Sequence, residues 1–216
     1  MTQQSRQYSF LDRVIISIDN AVHTLLNNHS KSSRTNPAQN MPETLVNEKE
    51  KKQSARLMRV NHSGEVCAQA LYQGQALTAK SHDIRIKLDQ AGLEEYDHLA
   101  WCHTRINELD SHTSYLNPFW YAGSFTLGII AGIAGDKWNL GFIAATENQV
   151  VEHLTNHLNK LPPHDQKSQT ILQQMRDDEQ HHADTAMSAG GAILPIPVQM
   201  AMRVTSKLMT YSSYWV

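Results

Sequence analysis

The amino-acid sequence predicts an all-α protein organised around a four-helix bundle. Three observations support this class. Apolar residues recur at helical spacing along most of the 216-residue chain, and no segment alternates strongly between apolar and polar residues with a period of two. In addition, a helix with an isolated glutamate followed by a helix with a Glu-x-x-His sequence occurs twice. The length suits one good-sized domain, so we expect the two copies to share one core.

Composition and charge narrow the class of protein. The formal net charge of -2 and the pI near 6.6 lack the basic footprint of a nucleic-acid-binding protein, so no nucleic-acid partner is expected. Cys67 and Cys102 form neither a disulfide framework nor a Cys-x-x-Cys motif, which favours a reducing compartment. The first residues lack the apolar core of a signal peptide and the Arg-rich character of a transit peptide. We therefore expect a cytoplasmic or cytoplasm-facing protein.

The chain divides into two parts at about residue 47. Residues 8–26 carry apolar side chains at helical spacing and predict an N-terminal helix. The stretch 27–43 is rich in Asn, Ser and Pro, which is typical of a linker or loop. We therefore predict that residues 1–47 form a helix and a flexible linker, and that 48–216 form the bundle domain.

Four helices of the second part are predicted from apolar periodicity and its breaks. They cover residues 48–80, about 83–111, about 139–160 and about 165–188. Breaks in the pattern fall at Asn117-Pro118, Pro162-Pro163 and Gly190-Gly191.

Two further segments are strongly apolar. Residues 119–135 carry no charge, but they are short and rich in glycine for a spanning helix. The tail from residue 192 carries only Arg203 and Lys207 as charges, and after Pro197 it predicts an amphipathic helix. Two interpretations of these segments remain open: they lie on a membrane surface, which we favour, or they close the core of the bundle.

The repeated Glu-x-x-His sequence indicates a buried metal centre. Glu95 and His98 form the first copy, and positions i and i+3 lie on one face of a helix. The second copy is Glu179 with His182. Glu65 precedes the first copy and Glu147 precedes the second, at closely matching intervals, so the chain reads as a doubled unit.

This doubling is what a carboxylate-bridged two-metal site in a four-helix bundle requires, with one glutamate from each of two helices and one Glu-x-x-His from each of the others. Four ionised carboxylates would balance two divalent cations, whereas four carboxylates in an apolar core without metal would be costly. Oxygen ligands with one imidazole per metal suit iron or manganese. The six predicted ligands are Glu65, Glu95, His98, Glu147, Glu179 and His182.

Acidic neighbours of these ligands allow alternatives. Glu94 lies four residues before His98 and could replace Glu95, but Glu95 matches Glu179 in spacing, so Glu94 is interpreted as a bystander. Asp97 and Asp178 are either hydrogen-bond partners of the ligand imidazoles or ordinary solvated acids.

Two histidines outside the Glu-x-x-His pairs are also open. Glu152 and His153 follow Glu147 and either support a ligand, line a cavity or lie at the surface. His62 lies three residues before Glu65, so it either approaches the centre or has a structural role.

Four stretches resemble the demethoxyubiquinone hydroxylase family of ubiquinone biosynthesis: VNHSGE, EEYDH, ATE before NQVVEH, and DDEQHHADTA. The resemblance covers about residues 48–216. It implies a ferritin-like bundle holding two iron ions, and each of the six predicted ligand positions carries the residue type of that family. It also implies a histidine after the third-helix glutamate, which corresponds best to His153.

The resemblance further implies a monooxygenase that uses O2 to hydroxylate the ring of a polyprenyl methoxy-methyl-benzoquinol. The resemblance also implies NADH as the source of electrons. The chain has no G-x-G-x-x-G fingerprint, so NADH would act without a Rossmann domain. The resemblance implies a peripheral membrane protein, which we expect on the cytoplasmic side of the cell membrane. A homo-oligomer or a ubiquinone-biosynthesis complex is a separate expectation for its partners. The alternative function is a ferritin- or rubrerythrin-like iron oxidase or storage bundle.

Overall fold

The computed structural model describes residues 9–26 and 32–216, and within them the chain is all-helical, as predicted. The seven helices found there are α1 Phe10–Leu25, α2 Glu48–Thr78, α3 His82–Glu108, α4 Asn117–Ala134, α5 Asp136–Leu158, α6 Gln166–Ser188 and α7 Ile196–Trp215. The first residue of the predicted N-terminal helix and residues 27–31 of the predicted linker lie outside the described residues.

Helix boundaries follow local chemistry. The Asn47 side chain accepts a hydrogen bond from the Lys49 backbone at the start of α2, and Asp165 does the same for Ser168 at the start of α6. Pro118 lies in the first turn of α4, where its missing N–H removes no hydrogen bond within the helix. Gly135, with φ of 108°, separates α4 from α5.

The helices pack as a bundle in which α2 pairs with α3 and α5 pairs with α6, with further contacts between α3 and α6 and between α2 and α5. Helix α4 lies along α2. Their backbones approach closely at Gly74 and Gly128, where a Cβ atom would overlap with the Phe125 and Leu71 carbonyl oxygens of the facing helix. The glycine-rich sequence of α4 is therefore explained by its contact with α2.

Residues 32–47 contain no helix, in agreement with the loop prediction, yet they lie against the bundle. Ala38 and Leu45 are buried in one apolar cluster with Met58 and Trp101. Glu43 forms an ion pair with the fully buried Arg105. These contacts place the loop over the outer faces of α2 and α3.

Apolar side chains also remain at the surface. Helix α4 is exposed at Phe119 and Ile130, and α7 is exposed at Met200, Val204 and Leu208. None of the helices in the described part of the chain is both long enough and apolar enough to cross a membrane.

Candidate metal centre

The six predicted ligands lie in the interior between α2, α3, α5 and α6. Helix α2 carries Glu65, α3 carries Glu95 and His98, α5 carries Glu147, and α6 carries Glu179 and His182; all six are buried. A single turn separates the two members of each Glu-x-x-His pair, so both side chains point inward from the same helix face. The doubled pattern of the sequence therefore corresponds to one shared site.

One side of the site is organised around His98. Its Nδ1 atom lies 3.0 Å from Glu179 Oε1, 3.4 Å from Glu95 Oε2 and 3.6 Å from Glu65 Oε2. One potential ligand atom from each of these four residues lies within 4.8 Å of the other three. This buried Glu-Glu-His-Glu cluster could hold a metal ion.

The other side is organised around His182. Its Nδ1 atom lies 3.2 Å from Glu179 Oε2 and 3.4 Å from Glu95 Oε1. Glu95 and Glu179 thus present one carboxylate oxygen to each imidazole. Glu147 of α5 lies close enough to His182, Glu95 and Glu179 to interact with their charges.

Unpaired polar atoms test whether the site fits a cation. Both carboxylate oxygens of Glu95, Nδ1 of His98 and Oε2 of Glu147 are buried and make no hydrogen bond; the 3.0 Å approach of His98 Nδ1 to Glu179 Oε1 lacks hydrogen-bond geometry. Buried polar atoms are normally satisfied, and leaving them unpaired costs free energy. Metal ions among these atoms would satisfy all of them, so the residues fit a carboxylate-bridged metal centre.

Electrostatics lead to the same conclusion. Burial raises the pKa of Glu65 and Glu147 well above the usual range, and the neighbouring carboxylates add to the shift. Burial alone would lower the pKa of His98 and His182, but the surrounding carboxylates outweigh it and raise the pKa of His182 to about 12. Without metal, the site therefore compensates its own charge with protons, which bound cations would displace.

The Nε2 atom of each ligand imidazole lies next to a carboxylate that belongs to the other Glu-x-x-His helix. His98 Nε2 lies 3.0 Å from Asp178 Oδ2, and His182 Nε2 lies 3.1 Å from Glu94 Oε2. Each acid immediately precedes the glutamate of the opposite Glu-x-x-His pair. Hydrogen bonds at Nε2 leave Nδ1 free for a metal. The interpretation of Glu94 as a bystander is therefore wrong, because it contacts the imidazole of the other helix and not that of its own.

Asp97 contacts neither imidazole and instead anchors the N-terminal loop. Its carboxylate accepts hydrogen bonds from the Ser33 backbone at 2.7 Å and from Arg34 Nε at 2.9 Å. Arg34 also pairs with Asp178 at 2.9 Å. The Asn/Ser-rich stretch shows no periodicity, so the sequence contained no signal that Arg34 reaches the centre.

Tyr72 is a second side chain that the sequence pattern did not single out. Its hydroxyl donates a 2.7 Å hydrogen bond to Glu147 Oε1. It lies about two turns from Glu65 on α2, so its place on the inner face could have been found from helical spacing. Tyr72 and His182 also line a small, mainly apolar cavity of about 50 Å³ with Leu88, Leu140 and Ile143.

The remaining histidine candidates lie further along the bundle. The His153 ring packs 3.9 Å from that of His157, whose Nδ1 lies 2.9 Å from Asn61 Oδ1. A role of His153 beside a ligand stays a prediction. Glu152 lines a cavity of about 300 Å³ next to α7, one of the alternatives for this residue. His62 is fully buried beside Asn117.

Comparisons with known proteins agree with the motifs. The model of the family described as ubiquinone biosynthesis protein COQ7 matches residues 52–213. The 3-demethoxyubiquinol 3-hydroxylase of Acinetobacter baylyi is 54% identical over 98% of this chain and 100% of its own length. The enzymes of that name from Nitrosococcus oceani and Pseudomonas syringae pv. syringae are 50% and 53% identical, over 99% and 97% of this chain and 100% and 97% of their own lengths. The resemblance seen in the motifs is thereby confirmed, and the chain belongs to the COQ7 family of ubiquinone-biosynthesis proteins.

Proposed function

We propose that this protein is a 3-demethoxyubiquinol 3-hydroxylase, an oxidoreductase that hydroxylates the ring of a polyprenyl methoxy-methyl-benzoquinol in ubiquinone biosynthesis. The observation that carries the proposal is the near full-length identity of 50–54% to relatives of that name. The buried carboxylate and imidazole cluster supplies the fitting chemistry. The alternative of an iron oxidase or storage bundle is not favoured, because the relatives named above carry the hydroxylase name.

Within this proposal, the six predicted ligands hold two iron ions in a ferritin-like fold. Bound iron would supply the activation of O2. Glu95 and Glu179 would bridge the two ions, because each presents one oxygen to either imidazole. His98 and His182 would each bind through Nδ1, while Asp178 and Glu94 fix the rings through Nε2. The burial of the centre would keep bulk solvent away from the reacting ring.

The substrate side of the centre is proposed to be that of His182. His182 is 8% exposed, whereas His98 is 0% exposed, and the small apolar cavity lies beside His182. Tyr72 forms part of its wall and donates to Glu147, so it would hold this carboxylate in place while the quinol ring approaches. NADH is the proposed source of electrons.

The protein is further proposed to bind the cytoplasmic surface of the cell membrane, where a polyprenyl substrate resides. Exposed apolar side chains recur every three or four residues along α7, and Arg203 and Lys207 lie on the same helix. Such a helix suits interfacial binding next to anionic lipids. Assembly into a homo-oligomer or a ubiquinone-biosynthesis complex stays a prediction.

The test is hydroxylation under ¹⁸O2. Protein reconstituted anaerobically with ferrous iron is given a demethoxyquinone, NADH and ¹⁸O2, and the product is followed by mass spectrometry. We expect one labelled oxygen in the ring. The variant Glu179→Ala should lose iron and activity together, whereas Asp184→Asn, an exposed change on the same helix, should keep both. An unlabelled ring, or normal turnover by Glu179→Ala, would refute the proposal.

A further inference from the structure

The two imidazoles of the centre are held in unequal ways. Asp178, which accepts from His98, is also bound by the Arg34 guanidinium at 2.9 Å. Glu94, which accepts from His182, is 47% exposed at its side chain, and no arginine or lysine pairs with it among the described residues. The carboxylate beside His98 is therefore held by an arginine, whereas the carboxylate beside His182 faces solvent.

Arg34 is itself held from several directions. Its Nε donates to Asp97 Oδ2 at 2.9 Å, and its guanidinium lies 4.9 Å from the centre of the Trp101 ring. The backbone N–H groups of Ser33 and Arg34 both donate to Asp97 Oδ1. Planar guanidinium groups that bind two carboxylates have a well-defined orientation. Residues 32–38, here called the strap, thus present Arg34 to the centre at one angle.

The arrangement of the ligands shows the same inequality. The four residues whose ligand atoms already converge within 4.8 Å are those around His98. Glu147, by contrast, gives one of its oxygens to Tyr72. Of the two metal positions, the one at His98 is preassembled and closed, and the one at His182 borders a cavity.

We propose that Arg34 is a positioning residue, and that through Asp178 it makes the His98 position the tighter of the two metal-binding positions. The inference rests on the metal centre of the proposed function. The Arg34 guanidinium holds the Asp178 carboxylate against His98 Nε2, and its own Nη2 atom lies 3.3 Å from that nitrogen. The ring therefore keeps Nδ1 directed at Glu65, Glu95 and Glu179. Metal binds first at this position and binds second, more weakly, at His182.

Anaerobic calorimetric titration of metal-free protein with Fe²⁺ tests the proposal. The wild type is expected to bind two ions in two steps of different affinity. Arg34→Gln should weaken the tighter step by about tenfold to 100-fold, the usual effect of losing a partner that orients a ligand, and should leave the weaker step nearly unchanged. Asp97→Asn, which loosens the strap without contacting an imidazole, should weaken the same step.

Two further variants locate the effect. Glu94→Gln removes the carboxylate that holds His182 and should weaken the second step only. Arg176→Gln removes an arginine whose partner is Asp177, outside the centre, and should leave both steps unchanged. Urea unfolding of each metal-free variant accompanies the titrations, so that a loss of folding is separated from a loss of one binding step.

The possible outcomes separate the two proposals. Equal affinities in the wild type, equal weakening of both steps by Arg34→Gln, or unchanged binding in that variant would each overturn the role of Arg34. Failure of the wild type to take up Fe²⁺ would overturn the metal centre itself. Selective loss of the tighter step in Arg34→Gln and Asp97→Asn establishes the strap as part of the centre.

Discussion

Individual side chains at the centre act mainly through their partners. Glu94 and Asp178 have no metal-facing atom, yet each determines the orientation of an imidazole on the opposite helix. Tyr72 does the same for Glu147. Ligand geometry depends on such hydrogen bonds. Substituting a residue that only orients a ligand is therefore expected to weaken metal binding, although that residue does not bind the metal itself.

Replacing Tyr72 with Phe should destabilise the metal-free protein. The change leaves Glu147 Oε1 buried without its donor, in addition to Oε2, which has no partner already. We expect the free energy of unfolding to fall by about 1–3 kcal/mol, measured by urea denaturation. Tyr115→Phe, at an exposed tyrosine, serves as the control and should change little. Equal stability of the two variants would contradict the hydrogen bond to Glu147.

His157 should make the stability depend on pH. Burial, followed by the nearby charges of His153 and Lys160, lowers the pKa of His157 from 6.5 to about 2 in the folded protein. The unfolded chain therefore binds a proton below pH 6.5 that the folded protein does not accept. The contribution to stability is complete above pH 6.5 and is lost progressively as the pH falls towards 2.

Urea unfolding of the metal-free protein at pH 7.5 and pH 5.5 measures this effect. His157 should account for a loss of roughly 1 kcal/mol between the two conditions, and His157→Gln should remove that part of the pH dependence. The matched control is His164→Gln, at an exposed histidine, whose free energy of unfolding should fall between pH 7.5 and pH 5.5 as much as that of the wild type. If the free energy of unfolding of His157→Gln falls by the same amount, His157 is protonated in the folded state.

At the scale of elements, the apolar character of α4 has two causes, one on each face of the helix. One face of this uncharged helix packs on α2 through glycines, so part of its apolar character belongs to the core. The opposite face leaves Phe119, Ile130 and Ile133 exposed. The two interpretations of residues 119–135, core and surface contact, therefore apply to different faces of one helix, and only the membrane contact stays a prediction.

The α2–α4 contact can be tested with two glycine substitutions in the same helix. A Cβ at Gly128 would overlap with the Leu71 carbonyl oxygen, whereas a Cβ at Gly123 meets nothing within 4 Å. Gly128→Ala should lower the free energy of unfolding by about 1–3 kcal/mol, because two backbones must separate. Gly123→Ala should raise it by up to about 1 kcal/mol through helix propensity. Chemical denaturation of both variants measures the difference, and a Gly128→Ala protein as stable as Gly123→Ala would mean that the helices are further apart.

At the scale of the whole molecule, exposed apolar side chains on α1, α4 and α7 combine with a chain of small net charge. Single apolar residues at a surface are ordinary, but a repeated stripe along a helix is typical of a binding surface. On α7 the stripe consists of Ile196, Met200, Val204, Leu208, Tyr211 and Trp215. We expect this stripe to contact lipid.

Vesicle flotation tests the contact. Wild-type protein should float with vesicles of phosphatidylethanolamine and phosphatidylglycerol, and Leu208→Glu should lower the partition coefficient about tenfold or more, because burying one leucine contributes about 2 kcal/mol. Gln173→Glu adds the same charge at an exposed position of α6 and should float as the wild type does. Equal flotation of the two variants would exclude α7 as the lipid contact.

The amino-acid sequence by itself determined the all-α class, the approximate bounds of the helices and the six predicted ligands. Periodicity and spacing along one chain are local properties, and a helix converts them directly into faces. Each Glu-x-x-His pair lies within a single helix, so its spacing alone predicts a shared face, and the buried cluster around His98 agrees with this prediction.

Only the tertiary structure decided which side chains support those ligands. Arg34 meets Asp178, Glu94 meets His182, and Arg105 meets Glu43 and Asp165, all across long separations in sequence. Such pairs depend on how helices and loops are placed relative to one another, and a single sequence has no period that encodes this placement. The sequence therefore predicted which residues face the centre, while packing between elements determined how firmly each of them is held.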